Sequence, residues 1–153
     1  MDTPHTAQSN APIGVFDSGI GGLSVLRALR AKLPHERFVY VADSAHAPYG
    51  EREAARVRDR ALQLTQELVE HHHIKALVVA CNTATAMAIA DLRALHPQLP
   101  IVGVEPALKP AAAQSRTRRV GVLAPRGTLQ SDKYRALQRS LQEQAEFVDM
   151  ACD

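Results

Sequence analysis

The chain has 153 residues, with 46% hydrophobic and 22% charged residues and a net charge of only +2. That is room for one domain or one and a half small ones, with the make-up of an ordinary soluble globular protein. The near-balanced charge and the 4% of aromatic residues argue against a nucleic-acid binder, because no stripe of aromatics accompanies the basic "RTRR" at 116–119, which reads as a solvated edge. No apolar run reaches the ~18 residues of a membrane span. The opening "MDTPHTAQSN" lacks the basic-then-apolar order of a signal peptide and reads as a disordered tail over residues 1–10. The two cysteines, Cys81 and Cys152, are far apart in no zinc-binding spacing. They read as free thiols of a cytoplasmic protein.

In chain order, "PIGVF" (12–16) is a short buried strand, and "DSGIGG" is a turn. A helix follows from Gly21, with Leu26, Leu29 and Leu33 at helical spacing, stopping before Pro34. "RFVYVA" (37–42) is a second strand, followed by the loop "DSAHAPYG". From Glu51 a long helix carries Val57, Ala61, Leu64 and Leu68 on one face, with Glu51 and Glu53 in its first turn and His71 to His73 near its end. "KALVVA" (75–80) is a third strand, leading into an Ala-rich helix to about Leu95. "IVGVE" (101–105) and "RVGVLA" (119–124) are strands four and five. Between them "PALKPAAAQS" is a short helix interrupted by Pro110, and a last helix carries Tyr134, Leu137 and Leu141. "EFVDMA" has the composition to begin a sixth strand, but five are expected. Strand and helix alternate, and the strands are apolar throughout, so the fold class is α/β: a parallel sheet with helices on both faces, Rossmann- or flavodoxin-like.

In such a sheet ligands bind beyond the carboxyl ends of the strands. Asp17 and Ser18 follow strand one, Asp43 and Ser44 strand two, and Cys81, Asn82 and Thr83 strand three. Glu105 follows strand four, and Gly127 and Thr128 follow strand five. The topology alone therefore gathers small polar groups on one edge. "GIGGLS" has Ser24 where a dinucleotide fingerprint needs a third Gly, and it lacks the Lys-Ser/Thr pair of a P-loop. A small anionic ligand suits free N–H groups at helix starts better than a nucleotide does. Asp43 is either a site residue or a turn former. Glu105 either lines the cleft or braces the Lys109 region. Three adjacent helical histidines point about 100° apart, so no metal site is assigned to them.

Cys81 invites two readings. One is a buried thiol packing as a small hydrophobe. The other is an acid or base acting on carbon, its thiolate made more available than the ordinary pKa of about 8.5 allows by the helix start behind it. On that reading Cys81 alkylates faster than Cys152.

"GVFDSGIGGLSVLRAL", "YVADSAHAPYG", "VVACNTATA" and "VGVEPALKPA" resemble the glutamate racemases, within the wider aspartate/glutamate racemase family, over about Ile13 to Tyr134. The resemblance implies a cofactor-independent isomerase that makes D-glutamate for peptidoglycan. Its substrate lies between two α/β domains, with one catalytic cysteine on each side. It makes Cys81 the first acid/base cysteine and Asp17 its acidic neighbour near the substrate amine. It assigns substrate contacts to Asp17, Ser18, Tyr49, Gly50, Asn82, Thr83 and Thr128. The family's second cysteine sits in a Gly-Cys-Thr-His stretch that is absent here, and Cys152 is not its equivalent. The expectation is a first domain over 11–104, part of a second over 105–153, and a half-site that racemises poorly. Partners are expected to be small: glutamate, no nucleic acid, no membrane, and a second copy in a homodimer. Aspartate or hydantoin racemases, an arylmalonate-type decarboxylase, or an inactive binding or regulatory module of the same fold are the alternatives.

Overall fold

The computed structural model describes residues 10–152, so the tail expected over 1–10 lies, but for Asn10, outside the described residues. Strands β1 (Ile13–Asp17), β2 (Phe38–Ala42), β3 (Ala76–Val79) and β4 (Ile101–Gly103) form one sheet in the order β2-β1-β3-β4. All neighbours in it are parallel. β5 (Arg119–Ala124) and β6 (Glu146–Ala151) form a second parallel pair. Five strands are expected; the described residues form six. β6 reads weakly because most of it is exposed, with Glu146 and Asp149 breaking its apolar run; pairing with β5 is what makes it a strand.

Alternation along β1 sends Phe16 to one face and Val15 to the other, and both are fully buried because both faces are covered. Helices α2 (Ala54–His72) and α3 (Asn82–Leu95) cover the first face. There Val57, Ala61, Leu64 and Leu68 meet Phe16, Leu77, Val79 and Leu92. Helix α1 (Leu23–Lys32) covers the other with Val25, Leu26 and Leu29, over Ile13, Val15, Val78 and Ala80. Each fully buried Leu contributes roughly 1.5–3 kcal/mol. Gly103 is needed for this packing, since a Cβ there would lie 2.5 Å from Thr85 Cγ2. Past β4 the chain forms α4 (Leu108–Gln114), α5 (Arg126–Gln130) and α6 (Asp132–Ser140). Leu108, Tyr134 and Leu141 pack with Val122 and Phe147 as a separate cluster.

Three local expectations are corrected. α2 begins at Ala54, with Glu53 as a cap that makes no side-chain bond. Glu51 instead closes a 3-10 turn over Tyr49–Glu51, in which Arg52 N–H bonds Tyr49 C=O. Pro110 does not interrupt α4, because it occupies the first turn, where an N–H has no helical acceptor anyway. β4 stops at Gly103, although Val104 N–H still reaches Val79 C=O at 3.1 Å.

Candidate active site

The site is built on two adjacent rungs. β1 ends in Asp17. β3 runs out beside it, and Ala80 N–H continues the ladder to Phe16 C=O at 2.8 Å before Cys81 opens α3. Asp17 is buried, and its Oδ2 accepts N–H bonds from Gly22 (2.9 Å) and Gly19 (3.2 Å). The carboxylate therefore organises the glycine turn and the start of α1. Gly22 has to be glycine here, since a Cβ would lie 2.6 Å from Asp17 Cβ and 3.0 Å from the Tyr40 hydroxyl.

Cys81 is the N-cap of α3. Its sulfur accepts the Ala84 N–H at 3.5 Å, and its S–H donates to Ser18 Oγ at 3.6 Å. It is also buried. Burial pushes the thiol up, the Ala84 N–H and hydrogen bonding with Ser18 pull it back only in part, and the Asp17 charge raises it further. This reverses the expectation of a depressed thiol. The helix start does stabilise the thiolate, but removal from water and an adjacent carboxylate outweigh it. The expected labelling order reverses with it, because Cys152 is exposed.

A cleft of about 620 Å³ opens over these groups, between the ends of the first sheet and β5. Asp17, Cys81, Asn82, Thr83, Glu105 and Thr128 line it. Thr83 and Thr128 touch hydroxyl to hydroxyl at 2.9 Å, both buried, which ties α3 to α5. None of the described lining residues is cationic. An anion in this cleft would have to be held by hydroxyls, the Asn82 amide and N–H groups at the start of α3, and a cation by Asp17 and Glu105. Glu105 pairs with Lys133 at 3.2 Å rather than with Lys109.

Ser18 reaches the site through the thiol, but Tyr49 and Gly50 do not line the cleft. Tyr49 is buried behind it and donates its hydroxyl to Asp43 at 2.6 Å. Gly50 packs on the N-cap of α5, where a Cβ would stand 2.2 Å from Pro125 Cβ. Asp43 is no mere turn former. It is 4% exposed and also accepts two bonds from Arg60, both at 2.8 Å, with His46 Nδ1 at 3.1 Å. Arg60 was not foreseen. Its one sequence signal is a charged residue at helical spacing from Val57 and Leu64, on the apolar side of α2. Tyr40 was missed as well. Its hydroxyl donates to Gly19 C=O at 3.0 Å, and burial, Asp17 and Cys81 all raise its pKa. Cys152 follows β6, its N–H bonded to Ala124 C=O at 3.1 Å, and it is not among the lining residues.

Residues 22–151 match the family described as Asp/Glu/Hydantoin racemase. The chain is 55% identical over 145 residues to a glutamate racemase of Ectopseudomonas mendocina, covering 95% of this chain and 55% of that protein. It is 57% identical over 131 residues to one of Pseudomonas aeruginosa PAO1, covering 86% and 49%. Among solved structures it resembles Escherichia coli glutamate racemase in complex with L-glutamate and the activator UDP-MurNAc-Ala, with TM-score 0.85 and 34% identity, over 92% of this chain and 53% of that one. It also resembles the Aquifex pyrophilus glutamate racemase, with TM-score 0.79 and 37% identity, over 93% and 55%. The chain spans about half the length of the relatives it matches.

Proposed function

Because the chain belongs to the Asp/Glu/hydantoin racemase family, we propose that it carries the first-thiol half of a glutamate racemase, an isomerase that interconverts L- and D-glutamate. The observation that carries this reading is the cleft itself. A buried thiol and a buried carboxylate stand on neighbouring strand ends, beside hydroxyl and amide donors and, among the described lining residues, no cationic side chain. An amino acid fits that arrangement. Its ammonium goes to Asp17, and its carboxylate goes to Asn82, Thr83 and Thr128. The Cα hydrogen then faces Cys81. As thiolate, Cys81 takes that proton and leaves a carbanion; as thiol, it returns one to the same face. Inversion needs an acid on the opposite face, which the family resemblance gives to a second cysteine that is not Cys152.

On this reading residues 11–104 form the first domain, and 105–153 belong to a second. Ser18 orients the thiol, while Tyr49 and Gly50 act from behind the cleft. The product D-glutamate would serve peptidoglycan assembly in the cytoplasm. Self-association into a homodimer belongs to the same reading.

The test is to incubate the chain with L- and D-glutamate in heavy water and follow the Cα hydrogen by NMR. The expected result is exchange of one enantiomer with retention, rising with pH as the thiolate forms, and absent in Cys81→Ala. Exchange that survives Cys81→Ala, or none at all, refutes the proposal.

A further inference from the structure

We propose that Arg60, acting through Asp43 and Tyr49, is a positioning residue for the Cys81 pocket; its role in catalysis rests on the racemase reading above. Asp43 links Arg60 to the site. Its backbone N–H donates to Asp17 C=O at 2.9 Å, so it extends the β1–β2 ladder to the level of the catalytic edge. Its carboxylate is the centre of a closed cluster. Arg60 Nε and Nη2 grip both oxygens from α2, Tyr49 donates to Oδ2, and His46 meets Oδ1. A guanidinium holds a carboxylate in one plane and at one distance, which no other cation does.

What this grip fixes is the segment 43–51. Tyr49 is 2% exposed, belongs to the buried cluster that also holds Cys81, and couples electrostatically to it, so its ring is part of the packing around the thiol. The next residue, Gly50, seats the other wall. It packs on Pro125, and its C=O approaches Gly127 so closely that a Cβ on Gly127 would stand 2.8 Å away. Thr128, one residue further, bonds Thr83 in the first turn of α3. A continuous path of contacts thus runs from Arg60 to both walls of the cleft, with none of Arg60, Asp43 or Tyr49 lining it. Among the described residues, Asp17 from β1, Tyr40 from β2 and Tyr49 from this segment couple electrostatically to the thiol. Burial is the largest cause that raises the thiol, so its state depends on how well water is kept out, and a seated Tyr49 serves that.

The readout is the rate and pH profile of iodoacetamide alkylation at Cys81, measured by mass spectrometry with the exposed Cys152 as internal reference. Parent, Arg60→Gln, Arg60→Lys and Tyr49→Phe are compared at temperatures where circular dichroism shows each to be folded. Arg60→Gln is expected to raise the Cys81 rate relative to Cys152 by about tenfold and to move its pH midpoint down toward the ordinary thiol range. Arg60→Lys should restore only part of the parent behaviour, because an ammonium has no fork. Tyr49→Phe keeps the ring but cuts its tie to Asp43, and it should move the profile the same way; it decides the matter if Arg60→Gln does not fold. A profile unchanged in folded variants, with only the melting temperature lowered, overturns the proposal. A separate arm adds glutamate to the parent. If glutamate fails to slow Cys81 alkylation, the substrate reading falls, while the positioning role is still judged by the variants.

Discussion

Replacing Asp43 by Asn tests the electrostatics of the molecule most directly. Burial alone would raise this carboxyl, but hydrogen bonds from Arg60, Tyr49 and His46 hold it at about 2, against an ordinary 3.8. At ~1.4 kcal/mol per pH unit, that difference is worth about 2 kcal/mol of folding stability. The folded carboxyl takes up its proton less readily than the unfolded one. The contribution is therefore complete above about pH 5 and drains away as the pH falls through 3.8 toward 2. Asp43→Asn removes it at every pH and leaves Arg60, 21% exposed, without its counter-charge. A deeply buried broken pair costs about 3–5 kcal/mol, and the partial exposure of Arg60 places this one nearer 2–3 at neutral pH. The assay is urea unfolding followed by circular dichroism on parent and variant at pH 7, 5, 4, 3 and 2. All other carboxylates are common to both chains, so the gap between them isolates Asp43. It should narrow by about 2 kcal/mol between pH 5 and pH 2. A gap that stays constant over that range would refute the reasoning, since the carboxylate would then not be held by its partners.

Gly22→Ala should cost about 1–3 kcal/mol by forcing a methyl against Asp17 and Tyr40. Gly19→Ala, where nothing lies within 4 Å of the new methyl, should leave the melting temperature nearly unchanged. Thermal melts on both show whether the loss is steric, and equal losses would count against that. Thr128→Val strands the buried Thr83 hydroxyl and should cost about 1–3 kcal/mol, most of it recovered in the Thr83→Val, Thr128→Val double variant. A double-mutant cycle by urea unfolding with no coupling would mean the two hydroxyls do not meet. In a short iodoacetamide pulse at neutral pH, Cys152 should label before Cys81; peptide mass spectrometry showing the opposite order would contradict the raised thiol.

The four strands of the first sheet were legible because each carries a run of apolar, largely β-branched residues, and the central β1 and β3 are buried on both faces. The cluster of polar groups beyond their ends followed from topology alone. What escaped was decided by partners far along the chain. Asp43 stood evenly between site and turn because its partner Arg60 lies a full loop away on another helix. The Tyr49 ring turned inward because a buried carboxylate was waiting for its hydroxyl, a fact no local pattern carries. The thiol was misjudged because its helix start is written in the sequence, whereas the degree of its burial emerges only from packing. β6 is a strand by virtue of β5: its apolar residues are interrupted by Asp149 and most of the strand is exposed, so it lacks the unbroken run that marks the others.

The parallel pairing of β1 with β3 sets Phe16 opposite Val79, so Asp17 and Cys81 stand at the head of adjacent strands. Neighbouring strands are held ~4.8 Å apart by main-chain bonds whatever side chains they bear. The acid–thiol spacing is thus a property of the backbone, inherited by any sequence that makes the same ladder. Packing residues beneath it are free to be exchanged over generations, provided the sheet still forms. The chemistry can therefore outlast most of the core that once surrounded it, and homologues that have diverged widely would keep the two groups in reach of one carbon atom.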